Sequence, residues 1–244
     1  MSTGTPAADA SAARPLSLVV VDAGVGDPSS SRLLAGRIAH RAVAALREQG
    51  RAATTRSIGL GPLAVDIARA IVSGHPGEDL QAVIGELAAA DGVITSTPVY
   101  TAGVSGLFKS FFDVLDGDLF VARPVLLAAT AGSARHALVV EDQVRPMFAY
   151  LRALSVPTSV FAAPEDWGAS ALGDRIGRAA VELAALMASG VADTIADRAW
   201  SGYQHRFGGN ATRAERTAAD VDFDTPLMRL AAGGAPLRKE GPAG

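Results

Sequence analysis

The sequence contains no cysteine among its 244 residues. This absence excludes a disulfide framework, a thiolate nucleophile and any metal site or cluster that depends on cysteine ligands. The chain also lacks an excess of positive charge, because 22 basic and 25 acidic residues give a formal net charge of -3 at pH 7. No overall positive field is available to attract phosphate backbones, and we therefore expect no nucleic-acid partner.

Long hydrophobic runs are scarce as well. Residues 1–14 are rich in Ala, Ser and Thr and lack a basic start, and the apolar run that follows them is too short for a signal peptide or a membrane helix. We therefore expect a cytoplasmic protein without a membrane partner. The hydrophobic fraction of 49% is enough for one substantial core. The expected organisation is a disordered N-terminal tail at 1–15, one domain at 16–198 and a poorly ordered C-terminal extension at 199–244.

Short apolar runs alternate with helical patterns along the predicted domain. The predicted strands are Leu16–Val21, Arg51–Ile58, Gly92–Ser96, Pro124–Thr130 and Val156–Phe161. The predicted helices cover 29–48, 63–72, 79–89, 107–115, 137–154 and 169–195, with a bend at Pro146 in the fifth. Parallel neighbours require crossover connections, which are nearly always right-handed. The pattern therefore predicts an α/β fold, a flavodoxin-like three-layer sandwich with a five-stranded parallel doubly wound sheet.

The loop after the first predicted strand has residues suited to a phosphate. Ser29, Ser31 and Arg32 combine hydroxyls, unpaired N–H groups of a helix start and a guanidinium. Taken alone, the loop is better explained by Ser29 as an ordinary N-cap and Ser30 and Ser31 as polar residues of a first helical turn. The loop lacks the Gly-Lys-Ser/Thr ending of a nucleotide-hydrolysing P-loop, which disfavours triphosphate hydrolysis.

Two further loops follow neighbouring strands. In the loop at 97–106, Gly103 and Gly106 are expected to let the chain bend, and its backbone is predicted to face the edge of a flat heterocycle. A third loop resembles it one strand further along. The candidate ligand-binding residues of these two loops are Thr97, Pro98, Val99, Tyr100, Thr101, Ala131, Gly132 and Ser133. Ligands of open α/β sheets bind at the carboxyl ends of the strands, where all three loops are expected to meet.

Over 16–168 the chain resembles the NAD(P)H-dependent FMN reductase family of flavodoxin-like proteins, most specifically at 97–100 and 105–109. The run at 131–146 is most similar to reductases that partner luciferase-like or alkanesulfonate-type monooxygenases. The resemblance implies FMN and NAD(P)H as cofactors, hydride transfer from nicotinamide C4 to flavin N5, and supply of reduced FMN to a partner monooxygenase. It places the phosphate at 29–32 and the ring at the two other loops. This hydride transfer requires no acid or nucleophile from the protein, because the flavin performs the chemistry.

Other hypotheses about the function remain open. An FMN-retaining quinone or azo reductase would use the same crevice, a flavodoxin-type electron carrier would bind FMN without oxidising NAD(P)H, and a flavin-free scaffold would bind neither. A hydrolase is disfavoured because the chain has no Gly-x-Ser-x-Gly elbow. The apolar run at 108–115 suggests oligomerisation, although full burial within one subunit explains it equally well. The resemblance implies a homodimer or a homotetramer.

Overall fold

The computed structural model describes residues 14–200. Most of the predicted N-terminal tail at 1–15 and nearly all of the predicted extension at 199–244 lie outside these residues. Within the described part, the strands are β1 (Leu16–Asp22), β2 (Ala53–Gly59), β3 (Gly92–Tyr100), β4 (Gly103–Val104), β5 (Pro124–Thr130), β6 (Leu154–Ser155) and β7 (Val160–Ala162). The α-helices are α1 (Ser30–Glu48), α2 (Ala64–Ser73), α3 (Glu78–Ala88), α4 (Gly106–Asp113), α5 (Arg145–Tyr150), α6 (Ser170–Ala188) and α7 (Val191–Ala199).

The sheet has the order β2-β1-β3-β5, with β6 and β7 both paired to β5. All of these pairs are parallel, and β4 alone pairs antiparallel, with β3. The predicted five-position parallel sheet is therefore confirmed. From β1 the chain first adds β2 on one side and then β3 on the other, and open α/β sheets bind ligands at such a switch point.

Each face of the sheet is covered by its own apolar layer. Val20, Ile94 and Leu126 point toward α1 and α6, whereas their strand neighbours Val93 and Leu127 point toward the helices of the opposite face. Central strands that are buried on both sides read as continuous apolar runs, which is why β1, β3 and β5 were recognisable in the sequence. This is the three-layer arrangement that the sequence predicts.

Phe108, Phe111 and Phe112 of α4 are buried within the subunit. The ring of Phe112 contacts Phe108 in a tilted arrangement and Phe148 of α5 edge to face, at ring-centroid distances of 4.7 and 4.9 Å. Each such side chain contributes roughly 1.5–3 kcal/mol by burial. Because the aromatic rings are already covered, they provide no surface for assembly, and a homo-oligomer stays a prediction without their support.

The structure corrects three predicted elements after β5. The predicted helix at 137–154 is a π-helical turn, Val140–Val144, followed by α5, whose first turn contains Pro146. Proline has no N–H to donate and is tolerated within the first turn of an α-helix. Of the predicted strand at 156–161, only residues 160 and 161 lie in a strand, β7, and the short β6 ends before the predicted start. The predicted closing helix is interrupted by Gly190, which has a φ of 63°.

Within residues 14–200, no single helix is long and apolar enough to cross a membrane. The pair α6 and α7 passes a test of length and composition when taken together, but the two helices are bent by 49°. The apolar face of α6 packs on the sheet, with Ile176, Leu183 and Met187 buried.

Candidate functional site

Sheet register brings the three predicted loops to one edge. Asp22 pairs with Ser96 across β1 and β3, and Pro98 pairs with Thr130 across β3 and β5. The hydroxyls of Ser31 on α1 and Thr130 on β5 lie 2.7 Å apart in a buried hydrogen bond. The start of α1 therefore lies over the carboxyl ends of these strands.

The N-terminus of α1 is built to leave donors available. The Ser29 hydroxyl accepts a hydrogen bond from the backbone N–H of Arg32 at 3.2 Å, which makes Ser29 the N-cap. The N–H groups of Ser30 and Ser31 have no carbonyl partner within the helix. A Cβ on Gly24 would lie 1.8 Å from the Ser29 hydroxyl, so glycine is required for the loop to pass this close. The donors and the helix dipole favour an anion here.

Arg32 and Asp22 form a partly buried pair beneath this helix start. The Arg32 Nε lies 3.6 Å from Asp22 Oδ1, and Arg32 Nη2 donates to the Gly24 carbonyl at 3.4 Å. The Arg32 side chain is 56% exposed, whereas the Asp22 side chain is only 4% exposed. Burial raises the pKa of Asp22, although the charge of Arg32 and the Gly24 N–H act in the opposite direction. Asp22 is not among the site residues that the sequence predicts, because its contact with Arg32 depends on the fold.

The middle loop is a β-hairpin. Val99 pairs with Val104 and Tyr100 with Gly103, so a two-residue turn connects β3 to β4. The turn residues Thr101 and Ala102 have φ values of 49° and 61°. Two positive φ values define the turn type that suits a hairpin, but they are unfavourable for residues with a Cβ, and most of all for a β-branched threonine. The bend expected at Gly103 therefore lies one and two residues earlier, in strained backbone.

Gln143, from the π-helical turn, holds this hairpin with both ends of its amide. Its Oε1 accepts a hydrogen bond from the Val104 N–H at 3.1 Å, and its Nε2 donates to the Ala102 carbonyl at 3.3 Å. A Cβ on Gly103 would lie 3.3 Å from the same Oε1, so glycine lets the amide approach closely. Gln143 was not among the predicted site residues, because its contact depends on tertiary structure.

The predicted residues of this hairpin divide into two groups. Thr97 and Pro98 are buried, and the Thr97 hydroxyl accepts from the Ser105 N–H at 3.1 Å and donates to the Pro98 carbonyl at 3.0 Å. Tyr100 and Thr101 are exposed at the tip, with Tyr100 at 52%. Buried groups thus fix the base of the hairpin, while the tip is accessible to a ligand.

The third loop begins where Ala131 donates its N–H to the Ala162 carbonyl at 3.2 Å. Gly132 is exposed, and the buried hydroxyl of Ser133 has no hydrogen-bond partner in the structure. The Ser96 hydroxyl, within β3 and opposite Asp22 at the carboxyl end of β1, is likewise buried and has no hydrogen-bond partner. Buried polar groups normally have partners. Unpaired hydroxyls on two segments of this edge fit a polar ligand such as FMN.

Metal chemistry has no support among residues 14–200, where no group of three or more His, Asp or Glu side chains could hold a metal ion. A cavity of about 350 Å³ lies at the opposite, amino edge of the sheet and is lined in part by Arg14, Arg51 and Asp91. Arg14 and Asp91 form an ion pair at 2.6 Å in this cavity wall. The cavity is separate from the three loops.

A parallel sheet of this order, with loops at the carboxyl edge of β1, β3 and β5, defines a flavodoxin-like protein. A sequence model of the family described as "NADPH-dependent FMN reductase" matches residues 17–168. An FMN reductase (NADPH) of Pseudomonas aeruginosa is 34% identical over 153 residues, which cover 63% of this chain and 80% of that protein. The NADH-dependent FMN reductase SfnE of Pseudomonas putida is 37% identical over 148 residues, covering 61% of this chain and 77% of that protein.

Among solved structures, an oxidoreductase from Corynebacterium diphtheriae superimposes with a TM-score of 0.70 at 42% identity, covering 72% of this chain and 98% of that one. The chain belongs to the NADPH-dependent FMN reductase family. This membership confirms the predicted enzyme class, an NAD(P)H-dependent oxidoreductase acting on FMN, and the predicted cofactors.

Proposed function

We propose that this protein reduces FMN with NAD(P)H and supplies the reduced FMN to a flavin-dependent monooxygenase. The proposal is supported chiefly by the meeting of an anion-favouring helix start, a clamped hairpin and an unpaired Ser133 hydroxyl at one sheet edge. The resemblance of 131–146 to monooxygenase-partnered reductases supports the choice of recipient.

The chain's own residues bind and orient the flavin. The backbone N–H groups of Ser30 and Ser31 and the Arg32 guanidinium hold the phosphate. The backbone of the hairpin at 97–101 and the loop at 131–133 hold the ring, leaving one face accessible to nicotinamide. FMN, when bound, supplies the redox chemistry by accepting hydride at N5. The proposed FMN-binding residues are those predicted from the sequence.

The test is NAD(P)H oxidation with FMN, FAD and riboflavin as separate acceptors, in wild type and Arg32→Ala. Loss of a charge-assisted phosphate contact, worth about 1.5–3 kcal/mol, is expected to raise KM for FMN by roughly one to two orders of magnitude and to leave KM for riboflavin unchanged. Equal effects on both flavins would contradict the phosphate site.

The alternative of an azo reductase has support from a further relative, an NADPH azoreductase of a Bacillus species that is 33% identical over 72 residues, covering 30% of this chain and 40% of that protein. Copurification of FMN and ping-pong kinetics with quinone or azo acceptors would support it. Weak flavin binding with a requirement for added FMN would support release. Stable oxidised flavin in excess NAD(P)H would point to an electron carrier instead.

A further inference from the structure

A buried carboxylate lies directly under the proposed phosphate site. Asp22 is 2% exposed, and its Oδ1 accepts a hydrogen bond from the Gly24 N–H at 3.3 Å. A Cβ placed on Gly24 would lie 1.8 Å from the Ser29 hydroxyl and 3.4 Å from Asp22 Oδ1. Gly24 therefore lies between the Asp22 carboxylate and Ser29, the N-cap of α1, with no room for a side chain.

This position opposes phosphate binding in two ways. A carboxylate and a phosphate repel each other, and the repulsion is stronger in a partly buried place than in water. Both groups also require the same cation, because Arg32 Nε lies 3.6 Å from Asp22 Oδ1. The positive end of α1 is thus partly neutralised by a fixed anion before any ligand arrives.

We infer that Asp22 weakens the hold of the α1 N-terminus on the FMN phosphate and thereby keeps FMN an exchanging substrate. This inference rests on the proposed function, because it presumes that the phosphate lies at 29–32. It explains how a chain with a well-formed helix start can release its flavin. The residue that sets the affinity is then the last residue of β1.

The position of Asp22 also makes FMN binding depend on whether its carboxyl is protonated. Arg32 is the charged side chain that α1 presents to Asp22, while β2 contributes Gly59 and β3 pairs Ser96 with it. Protonation of Asp22 removes the repulsion and frees Arg32. FMN affinity is therefore expected to increase as the pH falls into the range where this carboxyl takes up a proton.

The experiment measures dissociation constants of FMN and riboflavin by fluorescence titration, across neutral and mildly acidic pH, in wild type and Asp22→Asn. The asparagine has the same shape and retains a carbonyl oxygen for the Gly24 N–H. A like charge within a few ångströms shifts a pKa by about one unit or more, and by linkage the variant is expected to bind FMN at least about tenfold more tightly at neutral pH. Riboflavin affinity is expected to stay unchanged.

Asp27→Asn is the matched control. Asp27 lies in the same loop but is exposed, so its removal changes the net charge equally while affecting a screened group. The phosphate itself titrates near pH 6, but it does so in every variant, and the difference between wild type and Asp22→Asn isolates the carboxyl.

Unchanged or weaker FMN binding in a folded Asp22→Asn protein would overturn the inference. If Arg32→Ala still weakened FMN selectively, the phosphate site would stand and only the role of Asp22 would fail. If neither substitution distinguished FMN from riboflavin, the proposed site itself would fail. Thermal unfolding of each variant verifies that it is folded.

Discussion

Replacing Gln143 by Met tests whether its two amide hydrogen bonds, here called the clamp, hold the β3–β4 hairpin in the conformation proposed to bind flavin. Methionine has a similar length but can neither accept from the Val104 N–H nor donate to the Ala102 carbonyl. Each lost hydrogen bond is worth about 0.5–1.5 kcal/mol, which gives roughly 1–3 kcal/mol for the pair. Holding Thr101 and Ala102 at positive φ costs about 1–2 kcal/mol per residue. The clamp and the turn strain are therefore of similar size.

Without the clamp, the hairpin is expected to relax away from its strained turn, and FMN binding must then restore it. The dissociation constant for FMN is expected to increase by roughly 5- to 150-fold. Riboflavin should lose affinity by the same factor, because the hairpin is proposed to contact the ring and not the phosphate. This distinguishes Gln143→Met from Arg32→Ala.

Two measurements check the reasoning: fluorescence titration of both flavins, and hydrogen exchange of the Val104 amide, which should accelerate in the variant. Gln81→Met is the matched control, since the Gln81 amide lies on α3 and donates to the Pro76 carbonyl at 2.9 Å, outside the hairpin. Wild-type flavin affinity together with wild-type exchange at Val104 would refute the clamp.

Two further predictions concern the loop after β1 and the amino edge of the sheet. Gly24→Ala is expected to displace the Ser29 hydroxyl, because the new Cβ would lie 1.8 Å from it, and so to cost about 1 kcal/mol of N-cap stability and abolish selective FMN binding, as measured by urea unfolding and flavin titration. Burial alone would raise the pKa of Asp91, but hydrogen bonds from Arg14 and the Ser17 N–H lower it. This pair therefore stabilises the fold above the ordinary carboxyl pKa of 3.8 and loses its effect as the pH falls below that value. The free energy of unfolding in urea should be smaller for Arg14→Met than for wild type above this pH, and the difference should disappear below it. A difference of equal size in acid would contradict a stabilising Arg14–Asp91 pair.

The central strands and the first helix follow from local sequence, because buried parallel strands and an amphipathic helix have strong periodic signals. β5 matches its predicted bounds, and α1 begins one residue after the predicted start. The carboxyl-edge location of the loops follows in turn from the parallel topology. These parts of the fold and of the candidate site needed no tertiary information.

The missed features depend on contacts between distant residues. The hairpin turn uses Thr101 and Ala102, where the local signal for such a turn would be Asn-Gly. The break between β6 and β7 coincides with Thr158, whose N–H donates to Glu182 of α6 at 2.8 Å. The burial of Asp22 likewise depends on how α1 covers the end of β1. None of these contacts has a local sequence pattern.

The Ser31–Thr130 hydrogen bond joins hydroxyls 99 positions apart in the chain. A contact of such high sequence separation carries a large loop-closure entropy and forms slowly relative to local structure. While the protein is being synthesised, a nascent chain that ends before β5 lacks the strand against which the start of α1 is anchored. The nascent chain is therefore expected to bind flavin only after β5 has left the ribosome.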